Sequence, residues 1–262
     1  MKNYLICSMS KIYESESFHK SFVKYENFID CSEIPGINCY ADKEAIKSLR
    51  DKLSEAAPEG IHFIDSGNFH YMTYLFLEKI ERDFELVLID KHPDCKIPMF
   101  EELVSCGGWV RDAIFNLSHL KRVYMIGTDE SLLYELDDLR ERKEYVTVVR
   151  DVSDFNVQFP LQKGVIDKNS RLLEQDSFKE GNNNLPIYLS IDKDVLDKSV
   201  VTTNWDQGDM TLEELDEWIA KLKKKEIIGV DICGECDIHD SDEAYNRSND
   251  VNLHLISAFL ED

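Results

Sequence analysis

Asp90, His92 and Asp94 alternate in the segment Leu88-Ile89-Asp90-Lys91-His92-Pro93-Asp94. In extended chain, residues two apart face the same side, so these three metal-capable side chains converge. Asp192 and Asp194 repeat the spacing after Leu189-Ser190-Ile191, and His70, closing Gly67-Asn68-Phe69-His70, adds a second imidazole. An oxygen-rich set with some imidazole suits Mn2+ or a similar divalent ion better than a thiolate zinc site would. Charge decides how many ions it takes. The four carboxylates carry −4. One dication would leave half of that uncompensated in a partly buried cleft, whereas two balance it and leave room for one bridging hydroxide. Divalent ions draw the pKa of bound water toward neutrality, so the pattern reads as a binuclear hydrolase site.

Elements that could hold these residues are visible in the apolar pattern. Continuous apolar runs at 61–65, 85–90, 121–127, 145–149, 185–192 and 226–232 read as buried strands. Between them lie helical patterns. Asp42 can cap a helix over 43–56, with Ala45, Ile46, Leu49 and Leu53 at helical spacing. Further helices are expected over 71–82, 130–143 and 248–260, and Thr211 with Glu214 forms a capping box that opens another, running to 225. Residues 1–40 read as an irregular segment packed on a single α/β domain spanning 1–262. Strands alternating with helices predict a parallel sheet covered on both faces, and ligands in such sheets bind beyond the carboxyl ends of the strands. The candidate ligands follow strand ends.

The chain has 262 residues and a formal net charge of −22, from 30 basic and 52 acidic side chains. That balance argues against nucleic-acid binding and against an anionic membrane surface. A hydrophobic content of 43% excludes a wholly disordered chain. No run approaches the ~20 apolar residues of a membrane span, and the N-terminus lacks a signal-peptide pattern. Seven scattered cysteines point to reduced thiols and a cytoplasmic setting.

The three motifs, in this order, resemble those of the arginase–agmatinase–formiminoglutamase superfamily, the ureohydrolases. That family's pattern is G-G-D-H, D-A-H-x-D and S-x-D-x-D-x-x-D-P. Gly67–His70, Asp90–Asp94 and Ser190–Asp197 stand in its place, and Asp209-Met210-Thr211 with Glu214 continues it. The resemblance covers about residues 60–235. It implies a three-layer α/β/α sandwich with a central, mainly parallel sheet. It implies one Mn2+ on His70, Asp90, Asp94 and Asp192, and a second on His92, Asp90, Asp192 and Asp194. The bridging hydroxide would attack the planar carbon of a linear guanidine or amidine, and Asp194 would orient it. Self-association and a small cationic substrate are implied as well.

Departures from the family pattern are specific. Phe69 replaces the acid of G-G-D-H, and Lys198 stands at the family's proline. Cys106 occupies the place of a proton-shuttling histidine; it could shuttle protons, line the pocket or simply pack. Glu235 is the candidate for holding a cationic substrate head, but it comes one residue late. Trp205 either stacks on substrate or staples its loop, and His62 reads as a core or pocket-wall residue. Asp237-Ile238-His239-Asp240 and the Cys233/Cys236 pair lack partner ligands. Two rival readings follow. One is a Mn-dependent phosphoesterase, which would need adjacent histidines where Lys91-His92 stands. The other is a metal-binding scaffold without catalysis.

Overall fold

A computed structural model describes residues 1, 3–21, 28–98, 100, 102–153, 155 and 185–260. The chain runs through β1 (Tyr4–Ser8), β2 (Phe28–Asp30), β3 (Tyr40–Ala41), α1 (Lys43–Lys52), β4 (Gly60–Phe63), α2 (Met72–Leu77) and β5 (Phe84–Ile89). It continues through β6 (Val104–Ser105), α3 (Trp109–Asn116), β7 (Leu120–Ile126), β8 (Val146–Val149), β9 (Ile187–Asp192), α4 (Leu212–Leu222), β10 (Ile227–Cys233) and α5 (Asp242–Phe259). Among the described residues, eight strands form one sheet in the order β2-β1-β4-β10-β9-β5-β7-β8, and every pairing in it is parallel. β3 and β6 form a separate antiparallel pair. None of the described helices is long and apolar enough to cross a membrane.

Alternation along the strands builds the three layers. Leu86 and Leu88 pack into a core with Ile46 of α1, Leu75 of α2 and Val110 of α3. Val87 and Ile89, pointing the other way, join Leu215 and Trp218 of α4 and Leu255 of α5. Each fully buried aliphatic side chain of this kind is worth about 1.5–3 kcal/mol. The helix starts follow the sequence. Asp42 Oδ1 accepts from the Glu44 and Ala45 amides at 3.0 and 2.8 Å, and the Thr211/Glu214 capping box is closed in both directions. The expected α/β/α sandwich is the architecture observed.

Three local expectations are corrected. Residues 1–40 are not irregular throughout, since Tyr4–Ser8 and Phe28–Asp30 are strands of the main sheet. Their signal was a short apolar run, Leu5-Ile6-Cys7, interrupted by polar neighbours. Asp65 anchors this segment. Its carboxylate accepts from the Met9 and Ser10 amides at 2.9 and 2.8 Å, and its own amide donates to the Tyr13 hydroxyl at 2.7 Å. The helix expected over 130–143 is instead a series of 3-10 turns, Glu130–Tyr145, broken at Arg140. Leu133, Leu136 and Leu139 are spaced by three, which matches a three-residue turn better than an α-helix. The C-terminal helix begins at Asp242 rather than near 248, because Ser241 caps it through the Ala244 amide.

A buried ionic cluster joins the sheet to α5. Lys193 and Glu235 are both 0% exposed and paired at 2.6 Å. Lys193 Nζ also donates to Ser248 Oγ and Asn252 Oδ1, each at 2.9 Å, which uses all three of its protons. Asn252 Nδ2 donates to Glu235 and, at 2.8 Å, to Glu16. Burial, with the nearby Glu235 charge, raises the Glu16 carboxyl to about 9, against the opposing pull of Lys193. Folded Glu16 thus keeps a proton that the unfolded chain loses above the ordinary carboxylate range. Its contribution is full below that range and is lost as pH rises toward 9. Stability measured by urea unfolding should therefore fall between about pH 5 and about pH 9. Glu16→Gln, which mimics the protonated form, should flatten that slope and make the variant the more stable protein at the alkaline end.

Candidate metal centre

β5 and β9 are neighbours at the centre of the sheet, with Ile89 opposite Ile191. That register brings Asp90 and Asp192 out of adjacent strand ends, about one strand spacing of 4.8 Å apart. His70 arrives from the turn after β4. Asp94 has a left-handed backbone, φ 48°. Its carboxylate Oδ2 accepts from the Trp109 indole at 2.6 Å, and its carbonyl from the Val110 amide at 3.1 Å. The start of α3 therefore fixes both the backbone and the side chain of Asp94.

The six candidate ligands meet beneath the surface. His70 Nδ1 lies 3.2 Å from Asp90 Oδ2, 3.1 Å from Asp94 Oδ2 and 3.4 Å from Asp192 Oδ2. His92 Nδ1 lies 2.9 Å from Asp194 Oδ2 and 3.5 Å from Asp90 Oδ1. Donor atoms of His70, Asp90 and Asp94 form one group within 4.8 Å, and those of Asp90, His92 and Asp194 a second. Asp90 belongs to both. Donors about 2.1 Å from one octahedral ion sit about 3 Å apart, the spacing found around His70. Asp90 Oδ2 is buried and accepts no hydrogen bond. The residues present therefore fit divalent cations.

Electrostatics point the same way. Burial raises the carboxyls of Asp94, to about 6, and of Asp192, and the Asp90 charge adds to both. Burial and the charges of Asp192 and Asp90 push Asp194 well up. Burial would lower the imidazoles, but the facing carboxylates override it. They hold His70 well above its ordinary value and push His92 up to about 12. Asp90 alone is pulled down, since the two imidazoles outweigh its burial.

Supporting contacts orient the imidazoles. His70 Nε2 is 2.8 Å from Ser190 Oγ, and His92 Nε2 is 3.1 Å from Asp206 Oδ1. Lys91 Nζ binds Asp206 Oδ2 at 2.5 Å and the Gln207 carbonyl at 3.0 Å, so it fixes the loop that carries Asp206. Trp205 lies over Gly67, where a Cβ would clash with its indole. Its indole N–H donates to Asn68 Oδ1 at 2.9 Å, and Asn204 Nδ2 donates to the same oxygen at 2.9 Å. Trp205 therefore staples its loop across the cavity. Sequence reasoning passed over Asp206, which lies outside the three motifs, and Asn68, which lies inside the first but is not a metal-ligand type.

The other sequence candidates separate. Cys106 borders the metal cavity. A hydrogen bond with Cys39, then burial, pushes its thiol far up, so it stays protonated and makes a poor proton shuttle. Glu235 is a correction. Gly234 (φ 90°) turns the chain after β10, where any Cβ would strike Asp192 Oδ1 and the Lys193 amide. The Glu235 carboxylate then lies under α5, held by Lys193, Ser248 and Asn252, and holds no substrate head. Cys233 lies within ligand range of His70 and Asp192, but its thiol bonds the Ser66 carbonyl at 3.3 Å and burial keeps it protonated. His62 is a core residue, 2.8 Å from Asp231 Oδ1 and stacked on Phe76. Asp237 and His239 line a separate cleft and join no ligand group among the described residues.

Comparison with known proteins gives the family and the fold. An uncharacterized protein of Thermotoga maritima is 31% identical over 255 residues, covering 97% of this chain and 88% of its own. A formiminoglutamase of Trypanosoma cruzi, solved with Mn2+, superposes with a TM-score of 0.63 at 13% identity, over 99% of this chain and 95% of its own. Proclavaminate amidino hydrolase of Streptomyces clavuligerus superposes at 0.58 with 17% identity, over 89% and 76%. These likenesses to solved structures concern the fold. The sequence model of the Arginase family matches residues 5–237, which takes in every candidate ligand and the whole sheet except its N-terminal residue, and by that match the chain belongs to the arginase family.

Proposed function

We propose that this protein is a binuclear manganese-dependent hydrolase that cleaves a carbon–nitrogen bond of a linear guanidine or amidine. The observation that carries this reading is the convergence of two imidazoles and four buried carboxylates at the ends of β5 and β9, with Asp90 common to both groups. Asp90, Asp94, Asp192 and His70 would hold one ion. Asp90, Asp192, Asp194 and His92 would hold the other. When bound, the pair would supply Lewis acidity and an activated water for attack on a planar carbon.

The chain's own residues supply the remainder. Asp206 and Ser190 fix the imidazole rings. Trp205 and Gly67 close one side of a cavity of about 30 Å³, too small for a substrate body. A larger cleft of about 720 Å³ lies across the Asn68–Asn204 contact. Tyr40, Asp42 and Asp237 face it, and no lysine or arginine is among its described lining residues. It suits the extended body of a neutral or cationic substrate, in place of the Glu235 clamp. Cys106 borders the cavity as a neutral thiol.

After reconstitution with Mn2+ and desalting, elemental analysis should find two ions per chain. The loaded protein should release urea, formamide or ammonia from members of a panel of linear guanidines and amidines, and Asp192→Asn should abolish that release. Two ions with no release across the panel would favour the metal-binding scaffold, the reading that the engaged Glu235 supports. A separate test addresses the support of His92. Asp206→Asn should lower Mn2+ affinity about 10–100-fold by titration, with the ion count recovering at higher Mn2+.

A further inference from the structure

We propose that Cys39 and Cys106 form a reversible dithiol–disulfide site at the edge of the metal cavity, oxidised by a low-molecular-weight disulfide. β3 and β6 pair antiparallel with Tyr40 opposite Ser105, so the next residues outward, Cys39 and Cys106, stand opposite each other. The Cys106 amide donates to the Cys39 carbonyl at 2.9 Å. Directly opposed residues of an antiparallel pair have Cα atoms about 4.5–5.5 Å apart, inside the window that a disulfide spans. Cys39 has a left-handed backbone, φ 61°, and its thiol is close enough to that of Cys106 to be influenced by it.

Accessibility singles out Cys39 as the attacking group. Among the seven free cysteines it is the one not buried. Its contact with Cys106 lowers its thiol to about 7, so a thiolate is available near neutrality. The Cys39 thiolate attacks one sulfur of the small disulfide, forming a mixed disulfide and expelling one thiolate. With the Cys39 sulfur now in the mixed disulfide, the interaction that held the Cys106 proton is gone; Cys106 gives that proton to the released small thiolate and attacks the Cys39 sulfur, which forms the intramolecular bond and expels the second small thiolate. Two electrons pass to the small disulfide, and its two thiolates take up the protons that the cysteines gave. The new bond would withdraw the Cys106 thiol from the cavity wall. It would also tie residues 39–41 to the segment leading into α3, whose Trp109 holds Asp94.

The test uses the whole reduced protein, equilibrated with oxidised glutathione under native conditions, alkylated, and digested without reduction. Mass spectrometry should find the Cys39 peptide joined to the Cys106 peptide, and titratable thiols should fall from seven to five. Cys39→Ser should keep its six remaining thiols, whereas Cys106→Ser should trap glutathione on Cys39. In the wild-type protein, retention of all seven thiols, glutathione that stays on Cys39, or a link between any other pair would overturn the proposal.

Discussion

Four carboxylates buried within a few ångströms of one another are the constraint around which this structure is arranged. Like charges at that distance in a poorly hydrated place repel strongly, and burial alone works against ionisation. The chain offsets this locally. Asp90 Oδ1 accepts from the His92 amide at 2.6 Å and Asp192 Oδ1 from the Asp194 amide at 2.9 Å. The His92 imidazole and the Trp109 indole supply further donors, to Asp194 and Asp94. What these donors leave uncompensated is the charge that divalent cations would neutralise. A hydrophobic sheet end would be easier to build, so the position of this cluster is the clearest functional statement the fold makes.

The same strand end carries a second charged device, and alternation keeps the two apart. Asp192 and Asp194 meet the imidazoles, while Lys193 between them is buried under α5 and paired with Glu235. A lysine so placed requires a full set of acceptors, and Glu235, Ser248 and Asn252 provide it. Removing one partner of such a pair generally costs about 3–5 kcal/mol, because the other charge is left uncompensated. Glu235 is therefore committed to holding α5 against the sheet. This separates the carboxylate–imidazole cluster, which keeps the motif spacing, from Cys106 and Glu235, where the sequence departs from it.

Much of this was legible along the chain. The D-x-H-x-D and S-x-D-x-D spacings, each after an apolar run, identify the six candidate ligands, because alternation in an extended strand is a local property. Asp42 and Thr211 mark their helix starts for the same reason. The apolar blocks with intervening helices determine a parallel, doubly covered sheet. Less was legible where local signals are short or ambiguous. Leu5-Ile6-Cys7 becomes a strand because β2 and β4 lie on either side to pair with it, and Leu133, Leu136 and Leu139 fit a 3-10 spacing as well as a loose helix.

Other features were decided only when distant segments met. Which strands are neighbours sets Asp90 beside Asp192, and no spacing in the sequence encodes that pairing. The direction of Glu235 depended on Gly234, whose left-handed turn and close approach to Asp192 and Lys193 both exclude a side chain there. Asp206 reaches His92 across 114 residues, and Cys39 reaches Cys106 through a ladder of two-residue strands. The sequence by itself determined the donor types and the elements that carry them, since both follow from local periodicity and chemistry. The tertiary structure decided which donors share a cavity, which charges cancel and which cysteines stand opposed, since these depend on distances between residues remote in the chain.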